Sequence, residues 1–571
     1  MRLSKILSIS KIFSGKNRLI LLVFLITAFS AAAAGRLFFV QIAQHSYYLE
    51  LAKNQQGFRR VLAAERGDIY FKTKDGELVK AAATKIGATI YLNMKLLNDP
   101  DGILSKLDSI TPVDKGLFYK IIKKTNDPYE VLKRRVGWEE AEKISALKLP
   151  GVGIEEERWR YYAGDALGGH VLGFVSAEDS NEEPSGKYGV EKYYDGALRG
   201  ESGSVSGDQD PKGFFIALTD ELKVDAAEGE DIILTIEPSL QRVAEAELAK
   251  LKTKWKAKSG GILIIDPKSG EIKALTGIPN FNPNEYQKEK NLGVFLNPFT
   301  EKIFELGSVF KPLTMAAAMD QGAVGPQSTY IDKGEVTING RTIKNFDGKA
   351  HGERTMTQVL EESLNTGAVF AMQKVGGEKL KEYFHAFGLG EKTGVDLPGE
   401  LKGDLSNLES GREIEFATAA FGQGIAVTPL ELAMALSAVA NGGKLMQPYL
   451  KDGAGPKFKR QVIKEETSET ITKMLVDVVD MSLAGGRAKM PHYSIAAKTG
   501  TAQMPNAGGR GYSDNFLHSF FGYFPAYNPR FLILMFLERP QGVKYASQSM
   551  TDTFRSLVEF LINYYTIPPD R

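Results

Sequence analysis

In "FELGSVFKPLTMAAAMDQG", Ser308 and Lys311 stand three residues apart, which on a helix puts them one turn apart on one face. Gly307 lets the chain turn sharply into that helix, and Pro312 is tolerated in a first turn whose amides have no intrahelical partner. "PLTMAAAM" is apolar nearly all round, so the helix is expected to be buried, with Ser308 at the positive end of its dipole. A serine hydroxyl is a weak nucleophile until a base adjoins it, and a lysine held dry near other cations can lose its proton and serve as that base. The same spacing at Ser8 and Lys11 falls in a basic N-terminal tail and reads as accidental.

Two more stretches carry matching chemistry. In "LEESLNTGAVFAMQKVG", Ser363 and Asn365 stand where another apolar helix begins. They read either as a capping segment or as a second hydroxyl for proton relay with an amide to hold a substrate carbonyl. Lys-Thr-Gly occurs twice. Lys392 lies in "FGLGEKTGVDLPGE", between a glycine-rich turn and an acidic loop, and reads as a connector. Lys498 ends "HYSIAAK", an extended run whose small side chains, with Gly500 beyond, leave room for a substrate backbone along a strand edge. Amides on such a strand can also form an oxyanion hole. His518 begins a strand near the expected sheet, and with Lys311 filling the role of base it is expected to be structural.

The elements that must position these groups follow from hydrophobic periodicity. "PSLQRVAEAELAKL" has helical spacing, "GGILIIDPKSGEIKALTG" reads as a hairpin, and "HSFFGYFP" and "FLILMFLE" are strand runs before a helix with Phe554, Leu557, Val558 and Leu561 on one stripe. Residues 246–571 are therefore expected to form an α/β domain whose sheet draws on both ends of the segment. Residues 41–245 mix short apolar runs, charges and glycine-rich turns, and read as an irregular α+β region.

Bulk properties narrow the class. The chain has 571 residues, 43% of them hydrophobic and 25% charged, a formal net charge of +1 and no cysteine. That balance gives no basic field for nucleic acid, and disulfides and cysteine metal sites are excluded. Arg2, Lys5, Lys11, Lys16 and Arg18 precede an uncharged run from Leu19 to Gly35, and snorkelling by Arg36 lets the apolar stretch continue to Val40. The expectation is a cytoplasmic tail over 1–18, one transmembrane helix over 19–40, and everything after it outside the cytoplasm. A cleaved signal peptide is the competing reading.

Ser308-x-x-Lys311, Ser363-x-Asn365 and Lys498-Thr499-Gly500, in this order, form the signature shared by penicillin-binding proteins and serine β-lactamases. The flanks "ELGSVFKP", "AFGQGIAVTPLELA", "AAKTGTAQ" and "GYFPAYNPR" resemble the transpeptidase domain of class B, monofunctional penicillin-binding proteins. "ERGDIY", "RYYAGDALGGHVLG" and "GKYGVEKYYDGALRGESG" resemble that family's three N-terminal pedestal motifs, with Arg66, Arg160 and Glu191 on motif positions and expected to form ion pairs. Departures are "YFKTKDG" after the first motif, Ala163 where proline is usual, and Ala497 where glycine is usual.

The resemblance implies a mixed α/β fold: a penicillin-binding-protein/serine β-lactamase-like domain with a central antiparallel sheet flanked by helices, on an elongated α+β pedestal with one membrane helix. It implies a peptidoglycan D,D-transpeptidase of the cytoplasmic membrane, most like the septal type, with D-Ala-D-Ala stem peptides as substrate and β-lactams as inhibitors. Ser308, Lys311, Ser363, Asn365 and Lys498 would be catalytic. Thr499, Gly500 and Thr501 would bind substrate, and neither a metal nor an organic cofactor is required. A membrane glycosyltransferase and other proteins of the division or elongation machinery are the implied partners. The alternatives are an elongation-type enzyme, a membrane-anchored β-lactamase or β-lactam sensor, and an inactive scaffold.

Overall fold

A computed structural model describes residues 15–48, 57–62, 64–124, 129–177, 184–208, 222–506 and 511–571. Most of the expected 1–18 tail, including Ser8 and Lys11, lies outside these residues. Helix α1 (Gly15–Phe38) continues through a wider turn to Ala43, and the stretch Leu19–Ala43 is long and apolar enough to cross a membrane. It runs past the expected end at residue 40 because Val40, Ile42 and Ala43 keep the stretch apolar around a single uncharged Gln41. With α1 goes a three-stranded antiparallel ribbon, Gly57–Leu62, Gly203–Asp208 and Leu222–Val224, and together these make one compact unit.

The second unit comprises residues 65–199 and 229–571. Its N-terminal part is a five-stranded sheet of β1 (Ile69–Lys72), β2 (Leu78–Leu92), β3 (Glu130–Gly137), β4 (Val152–Tyr162) and β5 (Ile232–Leu234). The long β2 is its spine, pairing antiparallel with β1, β3 and β4, while β5 lies parallel to β1. Under this sheet the carboxylate of Glu191 is fully buried. It meets Arg66 at 2.6 Å and Arg160 at 2.7 Å, and Arg66 reaches on to Asp195 at 2.8 Å. Arginine suits this place because its fork can bond two carboxylates at once.

The C-terminal part starts with α2 (Pro238–Trp255). Glu237 caps it by accepting from the amide of Leu240 at 2.6 Å, and proline fills its first position. Residues 245 and 246, expected to separate two domains, fall inside this continuous helix. Gln241 ties it to the sheet, since its side chain bonds both the amide and the carbonyl of Leu275 at 2.9 Å. Strands β6 (Ser259–Ile265) and β7 (Ile272–Ile278) form the expected hairpin. Then come α3 (Lys311–Asp320), the small hairpin β8 (Glu335–Ile338) and β9 (Arg341–Lys344), α4 (Asn365–Val375) and α5 (Pro429–Ala440). The chain returns to the sheet with β10 (Ala496–Pro505), β11 (Tyr512–Phe524) and β12 (Phe531–Glu538), and closes with α6 (Ala546–Tyr564).

The sheet order is β7-β6-β12-β11-β10, antiparallel throughout. Strand β12 lies at the centre with all eight side chains buried, as a strand covered on both faces requires. Strand β10 is the edge, and its outer side is the wall along which a peptide could be added. Glu191→Ala would strand two guanidinium groups in the interior and is expected to cost about 3 kcal/mol. The shift in the chemical-denaturation midpoint measures this, and Glu191→Asp should recover part of the loss.

Candidate active site

Ser308 does not sit in the regular α-helix expected from its spacing. It lies in a tighter 3₁₀ turn, Gly307–Phe310, that runs directly into α3. Such a turn has three residues per revolution, so residues three apart, such as Ser308 and Lys311, share one side of it. The Lys311 amide donates to the Ser308 carbonyl and closes the turn. Gly307 has φ +70°, the left-handed region in which a side chain would be strained, and this sets the sharp entry.

The turn is held against the sheet edge from several sides. The Ser519 hydroxyl on β11 donates to the Leu306 carbonyl at 2.7 Å, and the Gly307 amide donates to the Gly422 carbonyl at 3.1 Å. Gly500 on β10 faces Ser519 across the ladder and comes closer still. A Cβ at this position would lie 2.3 Å from Ser519 Oγ, 2.6 Å from the Leu306 oxygen and 3.2 Å from the Ser308 nitrogen. Only a residue without a side chain lets β10 pass this close to the serine.

Lys311 is 1% exposed, yet its ammonium is fully occupied. Nζ donates to the Ser363 carbonyl at 2.5 Å, to Asn365 Oδ1 at 2.9 Å and to Ser363 Oγ at 3.2 Å. Ser363 adopts φ +56°, which turns its carbonyl and hydroxyl to the same side. Asn365 donates Nδ2 to the Lys344 carbonyl at 2.9 Å, so its oxygen is left for the lysine. The capping reading of these two residues does not describe the structure: the N-cap of α4 is Leu364, and no side chain caps the helix.

Lys498 is 2% exposed, and its Nζ reaches the Thr499 carbonyl at 3.2 Å. Burial lowers its pKa to about 7. Burial also pushes Lys311 well below the usual lysine range, and the nearby charge of Lys498 pushes it further. The third group on β10, Thr501, accepts from the Ala546 amide at 3.0 Å and so fastens the strand to the start of α6.

These residues meet at one cleft of about 960 Å³, lined by Ser308, Ser363, Asn365, Thr499 and Thr501. Lys311 and Lys498 are buried beside it. The other Lys-Thr-Gly copy does not line it, because Glu400 accepts from the amides of Thr393 and Gly394 at 2.8 and 3.1 Å and holds them in a loop. His518 is fully buried between Ser549 Oγ at 2.8 Å and the Lys544 carbonyl at 3.1 Å, with its pKa lowered by burial to about 4. Sequence reasoning missed Ser519 and Gly422. A signal for Ser519 is that it and His518 are the polar residues in the run Leu517–Phe524 of β11.

Residues 260–559 match the family described as penicillin binding protein transpeptidase domain, and residues 51–234 the penicillin-binding protein dimerisation domain. The chain belongs to the penicillin-binding protein transpeptidase family. It is 32% identical over 528 residues to stage V sporulation protein D of Bacillus subtilis, covering 89% of this chain and 79% of the relative. It is 30% identical over 440 residues to the peptidoglycan D,D-transpeptidase FtsI of Escherichia coli, covering 77% and 73%. In fold it is similar to penicillin binding protein 2X of Streptococcus thermophilus, with a TM-score of 0.73 at 19% identity over 89% of this chain and 80% of that one. In this penicillin-binding protein, Gly500→Ala would push β10 and the serine turn apart. Acylation by a fluorescent penicillin is expected to slow about 100-fold, the scale of a misplaced reacting group. The thermal midpoint should move by only a few degrees, as overpacking at one site implies.

Proposed function

We propose that this chain is a septal class B peptidoglycan D,D-transpeptidase whose acyl-enzyme forms on Ser308. The observation that carries this reading is the buried Lys311 amine, one 3₁₀ turn after Ser308 and held by Ser363 and Asn365, both of which line one cleft with Ser308. Lys311 in its neutral form takes the proton of Ser308 as Oγ attacks the carbonyl between the two D-alanines. The backbone amides of Ser308 and Thr501 hold the oxyanion, each such donor contributing about 3 kcal/mol. The C–N bond breaks, and Ser363, assisted by Lys498, passes a proton to the departing D-alanine amine. Thr499, Thr501 and the charge of Lys498 hold the terminal carboxylate, Gly500 lets the donor lie against the strand, and Asn365 orients it. The amine of a neighbouring stem then attacks the ester, a proton returns to Ser308, and the product is a cross-link. A β-lactam enters the same path and stops at the acyl-enzyme.

Around this chemistry we place residues 1–18 in the cytoplasm, the apolar helix across the membrane and the rest outside it. The basic residues ahead of Leu19 support that orientation. The N-terminal sheet then serves as a pedestal below the catalytic part, and a membrane glycosyltransferase of the division machinery supplies the strands to be joined.

Ser308→Ala is expected to abolish covalent labelling by fluorescent penicillin, and peptide mapping of the wild type should find the adduct on Ser308. An adduct on another residue would sink the assignment. A second prediction concerns pH. Lys498 has its folded pKa depressed to about 7, so in the free enzyme it loses its proton as pH rises through that value. Since it must be charged to hold a carboxylate, the second-order acylation rate constant should fall on the alkaline side with a midpoint of about 7. Lys498→Arg, whose guanidinium stays charged, should lose that limb of the profile.

A further inference from the structure

Several charged side chains lining the cleft already have partners. Glu305 accepts from the Tyr512 hydroxyl at 2.9 Å, Arg412 pairs with Glu415, and Lys344 lies 3.2 Å from Glu335. Two cations of the lining, Arg341 and Lys544, have no carboxylate partner among the described residues. They stand on different walls, Arg341 on β9 and Lys544 just before α6.

The placement of Lys544 is fixed rather than incidental. Its carbonyl is held by buried His518, whose other ring nitrogen is held by Ser549 on α6. Two residues on, the Ala546 amide bonds the Thr501 hydroxyl on β10. Between them, Tyr545 meets Phe346 edge-on at a centroid distance of 5.6 Å, and both rings line the cleft. A cation and an aromatic rim are thus tethered to the wall strand at Thr501.

The direction of the donor peptide follows from the proposed reaction, on which this inference rests. The scissile carbonyl sits at Ser308, level with Gly500. The departing residue carries its carboxylate toward Lys498 and Thr499. The acyl part must run the other way, beyond Thr501, whose hydroxyl faces the carboxylate in the proposed reaction, and past Gln503, which also lines the cleft. The residue before the acylated D-alanine, one step of about 3.3 Å further back, then lies beside Tyr545 and Lys544. We propose that Lys544, positioned by His518, binds a free side-chain carboxylate on that residue. The preferred acyl donor is therefore a stem with a diamino diacid before its D-alanine pair, rather than the corresponding amide or a simple diamino acid.

The test uses the full-length protein and three depsipeptide donors ending in D-alanyl-D-lactate. One has the free carboxylate on the residue before the D-alanine, one has that group amidated, and one is amidated instead at the α-carboxylate of the residue before that. Acylation rates are read by intact-protein mass spectrometry and by competition with fluorescent penicillin. The wild type should acylate about two- to fivefold faster with the first donor than with the second, the scale of one solvent-accessible ion pair. The third donor should match the first. Lys544→Ala should bring the ratio of the first two rates to one, Lys544→Arg should keep it, and a general loss of activity cancels in the ratio. An equal response of the wild type to the first two donors overturns the proposal. So does a penalty confined to the third donor, a failure of either of the first two to compete with penicillin, or collapse of the ratio in Arg341→Ala but not in Lys544→Ala. Absence of penicillin labelling in the wild type would count instead against the transpeptidase reading itself.

Discussion

The site is organised around one ammonium group taken out of water. Burying an unpaired lysine is so costly that its surroundings must supply partners or strip its proton. Here both happen. Ser363 and Asn365 present a carbonyl, an amide oxygen and a hydroxyl to Lys311 Nζ, and they do so because Ser363 is bent into the left-handed region while Asn365 is turned by its bond to the Lys344 carbonyl. The second motif is thus the coordination shell of the first. The same contacts join α3, α4 and β9, so the placement of the amine and the assembly of the helical half are one event.

The sheet half meets that assembly through an absence. Gly500 lets β10 approach the serine turn to a distance that no side chain would permit, and Ser519 behind it bonds the carbonyl of Leu306. Strand β10 is an edge on its other side, so one strand braces the Ser308 turn with one side and leaves a ladder of groups on the other. This is why the run Ala496–Ala502 is made of small and β-branched residues apart from the lysine.

Local structure was legible in the sequence where it depended on near neighbours. The Ser308–Lys311 pair, the hairpin of β6 and β7, the strand Phe531–Glu538 and the apolar N-terminal helix are all written in short-range spacing. What escaped depends on contacts between distant segments. Two residues three apart fit a 3₁₀ turn and an α-turn alike, and the close packing against Gly500 and the bond from Gly307 to Gly422 accompany the tighter one here. Gly422 and Ser519 act on Leu306 and Gly307 from far along the chain, so nothing beside them announces it. Ser363 and Asn365 read equally well as caps until Lys311 is seen between them. The expected boundary at 245 and 246 failed to respect a helix whose start was signalled by Glu237 and Pro238. The middle of β7 and the first turn of α2 are bound together by Gln241, a side chain whose role requires the fold to be visible.

Two buried lysines in one site raise the question of how they share protons. Burial disfavours the charged form of both, and the charge of Lys498 disfavours that of Lys311 further. In the proposed reaction the balance is altered by the substrate itself. A carboxylate arriving at Lys498 stabilises that ammonium and raises its pKa above the value of about 7 that burial imposes. A firmly charged Lys498 then holds Lys311 in its neutral form, the state able to accept the serine proton. The donor's own terminal charge therefore completes the base that attacks it, and a peptide lacking that charge would meet a site less ready to react.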